Sequence, residues 1–265
     1  MAARGLMLMG HGTTSERGQA QFRELVARAV RRFDGPVEGG FIELAEPSMF
    51  SAVGALAARG VDEITIAPVV LLPAGHLKDD AALLANYVRQ RWPQINVHLA
   101  SDLGPTNELL DCLNQRVNAV TAATEAILVV GRGSSDRAAN AELHAITRLV
   151  AESRGFPTTH TAFVSLTPPT VTAGLDQLAR LGADTITVAP YFLFHGVLLD
   201  RIADQAQEWA RNAQHTVRIS AELGPDPLVL DALWLRIREA FGEQVRTSCD
   251  ACLYRVPSPS DSDTH

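Results

Sequence analysis

Leu6-Met7-Leu8-Met9-Gly10-His11-Gly12-Thr13-Thr14 returns later in the chain as Ile127-Leu128-Val129-Val130-Gly131-Arg132-Gly133-Ser134-Ser135. Four apolar residues running into a glycine are what a strand buried on both faces of a parallel sheet requires. The turn that follows is polar and glycine-rich in both copies. Working outward, three more blocks repeat in the same order at an offset of about 120 residues. Phe41-Ile42-Glu43-Leu44 answers Phe163-Val164-Ser165-Leu166, and each is followed by a proline and a hydroxyl residue. Val61-Asp62-Glu63-Ile64-Thr65-Ile66-Ala67-Pro68 answers Ala183-Asp184-Thr185-Ile186-Thr187-Val188-Ala189-Pro190. Leu103-Gly104-Pro105 answers Leu223-Gly224-Pro225, with Leu-Asp beyond each at 110–111 and 230–231. Four blocks in register are the mark of an internal duplication.

Each copy alternates strand and helix. After the first strand, Phe22, Leu25, Val26, Ala29, Val30 and Phe33 recur at helical spacing. A strand over Val37–Ile42 follows, then a helix N-capped by Ser48 and stopped by Gly60. The pattern goes on to predict a strand over Ile64–Leu72, a helix over Asp80–Trp92, a strand over Ile95–Leu99 and a helix over Asn107–Val117. The second copy repeats this order, with Thr170 as cap and Gly182 as stop. Such alternation predicts two tandem α/β lobes, each a four-stranded parallel sheet flanked by helices. The predicted boundaries are 1–120 for the first lobe, 126–243 for the second, and 244–265 for a flexible polar tail.

Composition narrows the partners. The apolar fraction of 46% suffices for two cores, and a formal charge of −7 argues against nucleic acid or an anionic membrane surface. Lys78 is the only lysine, so positive charge is carried by arginine, the residue suited to bidentate carboxylate binding. No apolar run reaches the length of a membrane span, and residues 1–10 lack the form of a secretory leader. Three cysteines make no disulfide framework, and a cytoplasmic location is expected.

Ligands of open parallel sheets bind beyond the carboxyl ends of the strands. Three residues of the first copy fall there: His11 after the first strand, Glu43 at the end of the second, and His76 after the third. Two imidazoles and a carboxylate suit Co²⁺, Fe²⁺, Ni²⁺ or Zn²⁺, with coordination positions left open. The second copy has Arg132 in place of His11 and Ser165 in place of Glu43. Val197 stands opposite His76, and His195 is displaced by one residue, so this copy has lost the ligand set and gained a cation.

Gly10-His11-Gly12-Thr13, the strand end at Glu43, and Gly75-His76-Leu77 followed by Asp79-Asp80 resemble the sirohydrochlorin chelatases. These are the class II chelatases of cobalamin and sirohaem synthesis, and the duplicated length resembles their long form. The resemblance covers about residues 5–240. It implies a two-lobed fold with a cleft between the lobes, a tetrapyrrole as the partner and no nucleotide. It also implies that His11 and His76 hold the metal, with Glu43 as acidic partner and proton acceptor. The divalent metal, Co²⁺ or Fe²⁺, is then a substrate, with Ni²⁺ accepted in vitro. Sirohydrochlorin carries acetate and propionate arms, for which Arg132, Arg137, Ser134 and His195 are the binding candidates. Cys249-Asp250-Ala251-Cys252 in the tail resembles a pair linked in some long forms to an iron–sulfur centre. Two cysteines are too few to close such a site within one chain. The chain is expected as a monomer or homodimer.

Two other readings compete. A hydrolase built on Ser134 or Ser135 lacks the Gly-x-Ser-x-Gly elbow. A metal or tetrapyrrole carrier would share the two-lobed architecture but has no use for a proton acceptor at Glu43.

Overall fold

The computed structural model describes residues 3–72, 75–120, 126–156 and 158–241, with backbone alone at 75–79 and 153–154. The cysteine pair of the tail lies outside the described residues.

The first apolar run forms β1 (Arg4–Gly10), with every residue from Gly5 to Gly10 buried. Its side chains alternate between two helical layers. Met7 and Met9 join a core with Met49, Val53, Leu56, Leu84 and Val88. These come from α2 (Met49–Ala58) and α3 (Gly75–Arg91). On the opposite side Gly10 lies against Phe22 of α1 (Glu16–Val30), so close that a Cβ would stand 2.8 Å from the ring. β1 is flanked on one side by β2 (Val37–Phe41) and on the other by β3 (Glu63–Pro68), beyond which lies β4 (Asn96–Leu99). All pairings are parallel, and Leu8 sits opposite Gly39 and Ala67. The chain leaves β1 toward β2 and returns to its other side for β3, so the order reverses between β1 and β3.

The second sheet repeats this plan with β5 (Ala126–Gly131), β6 (Thr159–Phe163), β7 (Thr185–Pro190) and β8 (Thr216–Ile219), in the order β6-β5-β7-β8. Its helices are α5 (Arg137–Arg154), α6 (Val171–Arg180) and α7 (Val197–Ala213). Ser48 and Thr170 cap α2 and α6 as their positions predict, each accepting a backbone N–H of the first turn. Gly60 and Gly182 follow those helices with φ of +73° and +92°.

Two elements differ from their predicted bounds by more than one residue. β3 stops at Pro68 rather than Leu72, although Val69 and Leu71 remain buried. An apolar run reports burial, and burial continues here past the strand's end, where Val69 N–H still donates to the Met9 carbonyl at 2.8 Å. α3 begins at Gly75, five residues before the predicted Asp80, because the polar stretch Lys78-Asp79-Asp80 forms its first turns.

The remaining helices do not follow the repeat. α4 (Asn107–Asn118) belongs to the first copy and α8 (Pro227–Phe241) to the second. The chain nevertheless packs as one unit of residues up to Gly104 with those from Leu230 onward, and a second of Pro105–Val229. Within the first unit, Arg236 donates to the carbonyl of Leu103 at 2.9 Å, and Arg32 pairs with Asp231 at 2.5 Å. Phe33 meets the rings of Trp234 and Phe241 at 6.0 and 6.4 Å. Within the second unit, Arg116 of α4 bonds Asp226 at 2.7 Å and the Leu223 carbonyl at 2.8 Å. No helix among the described residues is long and apolar enough to cross a membrane.

Candidate metal centre

The β1–β2 ladder continues past the ends of both strands. Ile42 N–H donates to the Gly10 carbonyl at 2.9 Å, and Glu43 N–H donates to the His11 carbonyl at 3.1 Å. Residues 11 and 43 are thus laid side by side at the carboxyl end of the sheet. Their side chains follow: His11 Nδ1 and Glu43 Oε1 stand 3.6 Å apart, 45% and 56% exposed. Both are reachable from solvent.

Gly12 makes the closure possible. Its φ is +102°, and a Cβ there would lie 1.8 Å from the Glu43 carbonyl oxygen. Only glycine allows this approach. Downstream, Thr13 holds the turn against α1: its hydroxyl accepts from Ser15 N–H, and its carbonyl accepts from Gln19 Nε2 at 2.9 Å. His76 lies in the first turn of α3, which follows β3. By backbone placement it therefore belongs to the same edge of the sheet, beside the reversal between β1 and β3. Among the described residues no group of three or more His, Cys, Asp or Glu side chains gathers into a metal-holding cluster; the His76 side chain is not among them.

The second unit keeps the backbone and replaces the chemistry. Val164 and Ser165 N–H groups donate to the carbonyls of Gly131 and Arg132 at 3.0 Å each. Gly133, at φ +86°, would set a Cβ 2.0 Å from the Ser165 carbonyl oxygen. Ser165 Oγ donates to the Arg132 carbonyl at 3.0 Å, where its counterpart Glu43 faces a histidine. Arg132 and Arg137 are exposed, the latter being the first residue of α5. Ser134 is built into the turn: its backbone N–H donates to Asn140 Oδ1, and its hydroxyl accepts from Asp136 N–H. His195 precedes Gly196, the N-cap of α7, and lies 3.4 Å from Asp200 while only 21% exposed. Sequence reasoning missed Asp200 and the steric role of Gly12. The glycine could have been found, since both copies carry Gly-x-Gly at one position.

A protein-family model described as CbiX matches residues 5–120 and again 126–240. The chain belongs to the CbiX family. Both copies are CbiX repeats, which accounts for the duplicated sheets. Over 99% of its length it is 28% identical to the sirohydrochlorin cobaltochelatase of Priestia megaterium, covering 88% of that protein. It is 29% identical to the sirohydrochlorin ferrochelatase of the same organism, over 78% of this chain and 79% of that one. The fold is that of SirB from Bacillus subtilis with Fe³⁺, at a TM-score of 0.79 and 24% identity, covering 90% of this chain and 95% of that one.

Proposed function

We propose that this CbiX-family protein inserts a divalent metal ion, Co²⁺ or Fe²⁺, into sirohydrochlorin with release of two protons. The observation that carries the reading is the His11–Glu43 pair, brought to 3.6 Å at the carboxyl end of one sheet and replaced by Arg132 and Ser165 at the other. The named relatives act on the same tetrapyrrole, one with cobalt and one with iron.

Insertion needs three things: an ion held loosely, a ring held in register and an acceptor for pyrrolic N–H protons. His11 and His76 hold the ion through neutral imidazoles and leave positions for ring nitrogens. Glu43 offsets the ion's charge and accepts a proton, a step worth about 10²–10⁴-fold. Holding ring and ion together supplies the proximity advantage. In the second unit Arg132, Arg137, Ser134 and His195 are assigned to the acetate and propionate arms, where a planar guanidinium pairs with a carboxylate. The protein is expected to work in the cytoplasm, without nucleotide, nucleic acid or membrane partner.

The test is anaerobic sirohydrochlorin with Co²⁺ or Fe²⁺ and sub-stoichiometric protein, followed by absorbance beside the His11→Ala variant. Many turnovers, lost in the variant, are expected. One equivalent of product would mean a carrier, and no acceleration over the uncatalysed reaction would sink the reading.

A further inference from the structure

Leu44 has a left-handed backbone, with φ +64°, and Leu166 at the same place in the second unit has φ +66°. Side chains other than Gly, Asn and Asp adopt this region reluctantly. Both leucines are also out in solvent, 59% and 71% exposed. The turn explains why φ is positive but not why the residue is leucine, and core packing does not explain it either. Its neighbours have diverged between the copies: Glu43 against Ser165, Ala45 against Thr167, Glu46 against Pro168, and the facing His11 against Arg132. From residue 43 to residue 46 leucine alone is kept, including in the unit without the ligand set. Its role is therefore separate from holding the ion.

A residue unfavourable for both backbone and solvation is accounted for by an apolar surface that it meets in use. Leu44 adjoins Glu43, whose carboxylate is 3.6 Å from His11. A macrocycle whose nitrogens take an ion from those two groups brings part of its face beside residue 44. We propose that Leu44 is an apolar contact for the face of the tetrapyrrole, positioning the ring next to the ion; this rests on the chelatase reading.

The test is Leu44→Asn, which suits a left-handed backbone and removes the apolar surface, with Leu44→Gly as a second variant of the same kind. Metal-free sirohydrochlorin is titrated anaerobically into the unmodified and variant proteins, Co²⁺ is titrated separately, and melting temperatures are recorded. Tetrapyrrole affinity is expected to fall about tenfold, as for loss of part of a buried leucine contact. Co²⁺ affinity should stay as it was, and the melting temperature should not drop. Unchanged tetrapyrrole affinity overturns the proposal. So does an equal loss of Co²⁺ affinity, which would assign the leucine to shaping the turn. Failure of the unmodified protein to bind sirohydrochlorin would instead remove the chelatase reading, and this inference with it.

Discussion

At residue 12 the protein has no choice of side chain, because the Glu43 carbonyl occupies the space a Cβ would need. Gly12→Ala must open the β1–β2 edge or distort the turn. It is expected to cost about 1–3 kcal/mol in denaturant unfolding and to weaken Co²⁺ binding together with stability. His11→Ala should abolish tight Co²⁺ binding in direct titration and lower the insertion rate at least about 10²-fold. Glu43→Gln separates the two roles proposed for this carboxylate. The amide still offers an oxygen to the ion but takes no proton, so insertion should fall about 10²-fold while Co²⁺ affinity falls less. Metal binding by the unmodified protein should weaken on acidification, since a protonated imidazole is no ligand; a Co²⁺ titration series across pH checks it. His11 and Glu43 were legible in the sequence because strand ends in parallel sheets mark a ligand edge. Their partnership was less so: it depends on a ladder that runs one residue past β1 and two past β2, which no periodicity reports.

Helix α4 presents a buried cysteine to the second unit. Cys112 is fully covered, and its Sγ lies 3.7 Å from the Leu223 carbonyl oxygen. Burial, and then the Asp226 carboxylate, push the thiol from 9.0 up to about 12, against the opposing pull of Arg116. In a Cys249→Ser/Cys252→Ser background, a thiol reagent at pH 8 should find no reactive group until the protein unfolds. The sign of the pH effect follows. Above about 9 the unfolded chain gives up this proton while the folded chain keeps it, so the thiol's contribution to stability is lost as pH rises. Urea midpoints from pH 8 to 10.5 should fall, and less steeply in Cys112→Ala. Element type and order were readable from repeated apolar runs and capping residues such as Ser48 and Thr170. The end of β3 was not, because Val69 and Leu71 stay buried beyond the end of the strand. An apolar helix face shows that a helix covers something; it does not show which sheet, and α4 and α8 took the ones that the repeat pattern does not suggest.

At the scale of the whole molecule, duplication and packing draw different lines through one chain. The repeats meet near residues 121–125, while the compact units divide at Gly104 and Val229. Residues 1–120 on their own would lack Trp234, Asp231, Arg236 and Phe241, which cover and bridge the first unit. That fragment should show markedly weaker cooperativity on thermal melting, and adding residues 121–265 in trans should restore it. The same exchange sets a schedule for synthesis. Asp231 closes on Arg32 across 199 positions of chain. At roughly 5–20 residues per second, Arg32 waits on the order of 10–40 s on the ribosome for the helix that carries its partner. The second unit, lacking nothing beyond Val229, is fully present first. The unit begun earliest is thus finished after the second, and no nascent chain owns a completed first unit before α8 has been made.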